Sequence, residues 1–262
     1  MRDIFGLQPV REALAVHGER VSRLWVVHGE SKAIAGVLSL AAARGVPVQR
    51  VSSAELDRRT RQGRHQGVLA EVPPLAVLDL DGLTRALTPN VASTSEPTEE
   101  RTSEGATNEG ARRVIVALDE IEDPQNFGAI VRSAVALGAF AVLWPEHHSA
   151  PLSPAMVRAS AGAVEHARLV RVPQLPEALR VLHDEHAFEV LGLDANGDHD
   201  LGARAYAENV VLVVGAEGKG LRKGVKRACD GLVRLPMRGP IASLNASVAA
   251  ALALYGVLHT SA

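Results

Sequence analysis

The stretch "NVVLVVGAEGKGL", Asn209 to Leu221, begins as an unbroken apolar strand and ends in a loop of three glycines around a glutamate. A strand apolar at every position, rather than at alternate ones, belongs in a parallel sheet buried on both faces. In open sheets of that kind ligands bind beyond the carboxyl ends of the strands, which is where Gly215, Glu217, Gly218 and Gly220 fall. The spacing excludes the two familiar nucleotide loops. A dinucleotide turn reads G-x-G-x-x-G, and these glycines read G-x-x-G-x-G; a P-loop needs Lys-Ser or Lys-Thr after its last glycine, and Leu221 follows Gly220. Glycines here permit positive φ and close backbone approach, as suits a ligand held by main-chain groups.

Outward from this loop, the same alternation fills the second half of the chain. "RVIVALDEI", "FAVLWP" and "FEVLGL" read as strands, and Leu235 closes a short one. "FGAIVRSAVALGA", "SPAMVRASAGAVEH", "LPEALRVLHDEH" and "NASVAAALALYGVLH" read as helices. The first half is a smaller α/β layer. Pro9 opens a helix in "QPVREALAVHG", "RLWVVHG" is a strand, and "KAIAGVLSLAAARG" is a helix ending at Gly45. "VPVQRV", a helix in "SAELDRRTRQ" capped by Ser52 or Ser53, and the strand "GVLAEV" follow. Between the halves, Ala92 to Ala111 is rich in Ser, Thr, Glu and Gly and lacks apolar periodicity. Such a segment buries too little to offset its ordering entropy and is expected to be a disordered linker spanning roughly 25 Å. The expected organisation is residues 1–78 as one domain, 79–111 as connector and linker, and 112–262 as the second domain.

Composition narrows the class. The chain has 262 residues, 47% of them hydrophobic, and one cysteine, so neither a disulfide framework nor a cysteine-rich zinc site is expected. No His/Cys cluster has metal-ligand spacing, and no apolar run is long enough for a membrane span. The N-terminus lacks a signal-peptide core, and a soluble cytoplasmic protein is the expectation. Net charge is −2, distributed as +3 over residues 1–91, −4 over 92–109 and −1 from 110 onward, so the bulk charge decides little about partners.

Three polar clusters sit at strand ends or helix starts. In "DPQNFGAIVRSA", Asn126 is placed as a helix N-cap. Ile130, Val131, Ala134, Val135 and Leu137 form the buried stripe, leaving Arg132 off the core; a cap plus a solvated arginine accounts for this cluster taken alone. In the glycine loop, Glu217 has no evident packing role. In "LPMRGPIASLNASVA", Ser243 and Asn245 flank the start of an apolar helix, where capping is again the plain alternative.

In order and at the expected separations, the three clusters resemble the sequence motifs of the SpoU/TrmH family of RNA ribose 2′-O-methyltransferases, and "ASAGAVEH" (Ala159–His166) also matches a stretch typical of it. The first domain, with "IFGLQPVREAL" and "RHQGVLAEV", resembles the ribosomal-protein-like RNA-binding domain of the branch that modifies a guanosine of large-subunit ribosomal RNA. The linker is longer and more acidic than that branch suggests. The resemblance implies an α/β SPOUT methyltransferase domain with a deep trefoil knot, a bent S-adenosylmethionine among the knot loops, and a homodimer. It implies cofactor contacts at Gly215, Leu235 and Leu244, with Met237 near enough in sequence to join them. It assigns activation of the 2′-hydroxyl to Arg132, with Asn126, Glu217, Ser243 and Asn245 positioning the reactants. A guanidinium with a pKa above about 12 is a poor base, so orientation of the hydroxyl and stabilisation of its alkoxide is the favoured role. For RNA capture the candidates are Arg58, Arg61, Arg64, His65 and Gln66 in "DRRTRQGRHQG", with "RKGVKR" (Arg222–Arg227) as a second basic segment; a solvated charged face is the alternative for both. With 3% aromatic residues, readout rests on arginine and backbone. A transfer RNA or another ribosomal nucleotide, including an adenosine modified for resistance, fits the same motifs, as does a non-catalytic RNA-binding protein.

Overall fold

A computed structural model describes residues 1–29, 31–88, 112–203, 205–241 and 243–259. The linker expected at Ala92–Ala111 lies outside them. The first domain runs β1 (Arg2–Phe5), α1 (Leu7–His17), β2 (Arg23–Val27), α2 (Lys32–Ala43), β3 (Val48–Val51), α3 (Ser53–Arg59) and β4 (Val68–Val72). Its four-stranded sheet has the order β1-β4-β2-β3, antiparallel except for the β2–β3 pair. Then come β5 (Val77–Leu78), α4 (Leu80–Leu87), β6 (Arg113–Asp119), α5 (Pro124–Ala136), β7 (Ala141–Pro145), α6 (Pro154–Ala159), β8 (Leu169–Val172) and α7 (Leu175–His186). The chain continues through β9 (Glu189–Leu193), β10 (His199–Asp200), β11 (Asn209–Gly215), α8 (Lys223–Lys226), β12 (Gly231–Arg234) and α9 (Ala246–His259).

The second sheet has eight strands in the order β10-β12-β9-β11-β6-β7-β8-β5, and every pairing is parallel. Alternate residues of β6 point to opposite faces, as the strand period requires. Val114, Val116 and Leu118 join a core with α5 and α9, while Ile115 and Ala117 join one with α4 and α7. The near-continuous apolar strands therefore mean what they suggested: helices on both faces. β5 belongs to this sheet, pairing with β8 at Val77↔Leu169, so residues 77–87 pack with the second layer.

From the centre of the sheet, β6, β7 and β8 run one way, and the chain returns for β9, β11 and β12 on the other side. The crevice at that reversal, outside the carboxyl ends of β9, β11 and β6, is where a ligand site is expected in open α/β sheets. The last helix completes its wall. α9 packs on α5, β6 and β11, while its Gly256 faces the β9–β11 connection so closely that a Cβ there would lie 2.8 Å from Leu201 Cδ2.

Several helix starts follow from local chemistry. The side chains of Ser31, Ser52, Asp79, Asp123 and Ser153 each accept a hydrogen bond from a first-turn amide. Two expectations are corrected. The cap of α5 is Asp123, followed by Pro124, and Asn126 stands inside the first turn, which frees its side chain for other partners. "SPAMVRASAGAVEH" is not one helix. It breaks after Ala159, with Ala161 and Gly162 at positive φ (51° and 86°) and a 3-10 turn at Ala163–Glu165.

α5 and α6 meet at Gly128, where an added Cβ would lie 2.5 Å from the Met156 carbonyl oxygen and 2.6 Å from Ala159 Cβ. Overpacking of this kind costs about 1–3 kcal/mol. Gly128→Val is expected to lower the melting temperature by several degrees in calorimetry; an unchanged transition would show that the helices separate freely.

The two domains are in contact. The Glu165 carboxylate, fully buried, accepts from Arg2 Nη2 at 2.5 Å and pairs with His17 Nε2 at 2.8 Å. Burial pushes its pKa up, but the bonds from His17 and Arg2 outweigh this and hold it below the ordinary 4.5. A carboxyl whose folded pKa is lowered contributes stability in full above its free value and loses it as pH falls through the folded one. Small-angle scattering of the whole protein is expected to be constant from neutrality to about pH 5 and to expand below the ordinary carboxylate range. Expansion already at pH 6, above the range in which that carboxyl titrates, would show that the Glu165 pair does not hold the domains together.

Candidate active site

The glycine loop is tightly folded. Gly220 N donates to the Ala216 carbonyl at 2.9 Å, and Gly218 and Gly220 take φ of 73° and 64°. Gly215 is needed for a different reason. A Cβ there would lie 2.4 Å from Gly220 C and 2.6 Å from its oxygen, so the loop folds back onto the end of β11. This turn swings the Glu217 side chain toward the start of α9.

There the three sequence clusters meet. Glu217 Oε1 accepts from Asn126 Nδ2 at 2.9 Å, from Asn245 Nδ2 at 2.5 Å and from the Ala246 amide at 3.1 Å. Asn245 Nδ2 also donates to Asn126 Oδ1 at 2.9 Å. Asn245 is at the same time the cap of α9, its Oδ1 accepting from the amides of Ser247 at 2.9 Å and Val248 at 3.3 Å. Capping and site-building are thus one arrangement, and a carboxylate beside a helix N-terminus has favourable electrostatics. Residues 126, 217 and 245, remote in sequence, form one hydrogen-bonded junction.

A cavity of about 470 Å³ opens beside the junction, walled by the carboxyl ends of β9 and β11, the glycine loop and the segment leading into α9. Gly215, Leu235, Met237 and Leu244 all line it, as does Ser243. Leu193, Val214, Leu235, Met237 and Leu244 supply an apolar side, and Asp194, Asn196, Glu217 and Lys219 a polar one. That mixture suits a ligand joining an aromatic base and sugar to a charged amino-acid end. On the other side of Glu217 a smaller cavity of about 250 Å³ is lined by Glu120, Glu122, Asp123, Asn126 and Lys219, among others.

Asp194 and Lys226 also line the larger cavity, and the three motifs did not include them. Burial pushes the Asp194 carboxyl up, but Lys226 Nζ at 2.5 Å and the Asn196 amide at 2.9 Å hold it below its ordinary range. The signal was present in "LDANGD", a turn sequence directly after a buried strand. Lys219 lines both cavities.

Arg132 is exposed, lines neither of these cavities, and its guanidinium makes no hydrogen bond or ion pair among the described residues. It shares α5 with Asn126, about 9 Å further along the axis. The basic candidates divide in two. Arg58, Arg61 and Arg64 are exposed, and their guanidinium groups have no hydrogen-bond or ion-pair partner among the described residues. His65 and Gln66 have internal bonds: His65 Nδ1 accepts from the Gly67 amide at 2.9 Å and Nε2 faces Asp57 Oδ1 at 3.2 Å, while Gln66 Oε1 accepts from the Leu7 amide at the start of α1. In "RKGVKR", Arg222 Nε is 2.7 Å from the fully buried Asp119 and Lys226 is paired with Asp194, so neither is a free phosphate contact. Among the described residues no group of three or more His, Cys, Asp or Glu is arranged to hold a metal ion, and no helix is long and apolar enough to cross a membrane.

Comparison with known proteins identifies the family. Residues 113–255 match the SpoU rRNA Methylase family, and residues 4–78 match the RNA 2′-O ribose methyltransferase substrate binding family. A putative TrmH family tRNA/rRNA methyltransferase of Bacillus subtilis, YacO, is 34% identical over 255 residues, covering 97% of this chain and 94% of its own. An uncharacterized tRNA/rRNA methyltransferase of Mycobacterium marinum is 37% identical over 253 residues, covering 96% of this chain and 74% of its own. Among solved structures, the SpoU methyltransferase AviRb from Streptomyces viridochromogenes, in complex with the cofactor AdoMet, superposes with a TM-score of 0.71. It is 26% identical, over 98% of this chain and 88% of that one. The chain belongs to the SpoU family and is an S-adenosylmethionine-dependent RNA methyltransferase.

Proposed function

We propose that the protein methylates the 2′-hydroxyl of a guanosine in large-subunit (23S) ribosomal RNA, acting as a homodimer. The observation that carries this reading is the junction of Asn126, Glu217 and Asn245 standing between the larger cavity and the smaller one. The larger cavity is read as the cofactor site, with Gly215, Leu235, Met237 and Leu244 as its contacts, and the smaller one as the entry for the target nucleotide.

Bound there, S-adenosylmethionine supplies a methyl group already activated by its sulfonium. The protein must then align a ribose oxygen in line with that methyl and manage one proton. Alignment can contribute about 7–11 kcal/mol when the reacting atoms are held near attack distance. Asn126, Glu217, Ser243 and Asn245 are read as holding the two cavities in register. Arg132, an exposed guanidinium without a partner among the described residues, is read as meeting the RNA. It would orient the 2′-hydroxyl and stabilise the developing alkoxide, while phosphate or water takes the proton. Arg132→Lys with near-normal turnover would remove the need for a guanidinium fork.

Ribosomal RNA is favoured over transfer RNA by the added substrate-binding domain, on which Arg58, Arg61 and Arg64 stand exposed as phosphate contacts. The packing of α9 beneath the β9–β11 connection supports the knotted topology that the family resemblance implies. Dimerisation is supported by α9, which buries one side while Val248, Leu252 and Tyr255, at helical spacing, are 47%, 49% and 55% exposed. The test is transfer of labelled methyl to 23S RNA, 16S RNA and transfer RNA from a strain lacking the enzyme, with the product nucleoside identified. A 2′-O-methylguanosine in 23S RNA alone supports the reading. Label in transfer RNA, or on another nucleoside, replaces the target.

A further inference from the structure

The family-typical segment "ASAGAVEH", Ala159–His166, contributes nothing to either cavity, yet it is where the substrate-binding domain sits. Gly162, at φ 86°, approaches α1 so closely that a Cβ would lie 2.7 Å from Pro9 Cα and 3.0 Å from Glu12 Cβ. Three residues on, the Glu165 side chain has no exposed surface and reaches across to Arg2 on β1 and His17 at the end of α1. His166 Nε2 lies 2.8 Å from Glu12 Oε2 at the rim of the contact. Just before the segment, the Arg158 guanidinium stacks over the Phe5 ring at 4.9 Å. Steric fit, a buried ion pair, a rim pair and a cation–π contact all join the same two surfaces.

The buried pair is not an optimal stabiliser. Glu165 Oε1 and Arg2 Nη1 are both buried without hydrogen-bond partners. Buried charges of this kind are costly to desolvate, and their best-attested use is to fix one arrangement against others. The arrangement fixed here leads straight to the site. The docking segment continues α6, α6 packs against α5 through Gly128, and α5 carries Asn126 into the junction. A freely swinging first domain is therefore not what the packing provides.

We propose that Ala159–His166 is the docking plate of the substrate-binding domain, and that Glu165 is a positioning residue that sets the distance between the RNA grip and the methyl-transfer cavity. The proposal rests on the reading that the first domain holds RNA. Its physical content is effective concentration. A seated domain presents the target ribose at the cavity whenever RNA is bound, whereas a swinging one presents it for a fraction of the time.

Glu165→Gln in the full chain keeps shape and removes charge. Scattering at neutral pH is expected to show a larger radius of gyration. The kcat/KM for methyl transfer to 23S RNA is expected to fall about tenfold, equivalent to roughly 1.4 kcal/mol. Affinity for S-adenosylmethionine and the rate on an oligonucleotide too short to reach the first domain should equal the wild type. Equal losses on long and short RNA would make Glu165 merely structural and overturn the proposal, as would unchanged scattering with unchanged kinetics. An expanded profile with full activity on 23S RNA would overturn the positioning role. If the glutamine variant is insoluble, His166→Ala at the half-exposed rim reads the same quantities with a smaller expected effect. If the wild type methylates no RNA, the proposed function fails, while the scattering comparison still decides whether the plate holds the domain.

Discussion

Glu217→Ala is expected to lower the single-turnover rate of methyl transfer by about 100-fold, with the fold retained, because displacements near 1 Å at a reacting centre cost that much. One carboxylate oxygen accepts three hydrogen bonds, from Asn126, Asn245 and the Ala246 amide. Without it, the start of α9 loses its tie to the glycine loop and keeps only the direct Asn245–Asn126 bond to α5, so Ser243 and Leu244 lose a fixed position on the cavity wall. Glu217 is itself exposed, so its removal leaves no void in the core and no large loss of stability is expected. Circular dichroism and a melting curve close to wild type, beside the kinetic loss, would separate positioning from unfolding. A rate within a factor of about three of wild type, far short of the alignment cost, would show that the junction is a capping device alone.

Gly215→Val is expected to weaken S-adenosylmethionine binding by about 5–150-fold, the affinity equivalent of 1–3 kcal/mol of overpacking. The added side chain has no flexible neighbour to displace. It meets the backbone of Gly220 at 2.4 Å and the Leu221 amide at 2.7 Å, so the loop itself must move. That loop forms one wall of the larger cavity, and its movement opens the space meant for the ligand. Isothermal titration calorimetry reads the effect directly. Gly218→Ala is the comparison: a Cβ there meets nothing within 4 Å, and only its φ of 73° resists substitution. Equal affinities for all three proteins would detach the glycine loop from cofactor binding.

Much of the second sheet is legible from its strands, because runs such as Val210–Val214 are apolar at every position and so demand cover on both faces. The site is legible as three clusters but not as a junction. Nothing in spacing says that Asn126, 91 residues from Glu217, should bond to it. Residue type alone makes Asn126 a cap candidate, although Asp123 before Pro124 carries the stronger cap-and-first-position signature. The break at Ala161–Gly162 has only the glycine as a local signal; close approach to Pro9 and Glu12 of the other domain accounts for it. β5 has two residues and too little pattern to be seen, so residues 77–87 read as an end and a connector when they pack with the second sheet. His65 and Gln66 looked like free hydrogen-bonding groups because their partners, Gly67, Asp57 and Leu7, are set by tertiary geometry.

In the proposed arrangement the ends of β9 and β11, the glycine loop and the segment before α9 enclose the methyl donor, with the Asn126–Glu217–Asn245 junction at its reacting side. A crystal structure of the protein grown with S-adenosylmethionine tests this most directly. The expected result is cofactor density against Gly215, Leu235, Met237 and Leu244, its methyl directed toward the smaller cavity beside Asn126. Density at another place on the fold, or a methyl turned away from that cavity, would contradict the account.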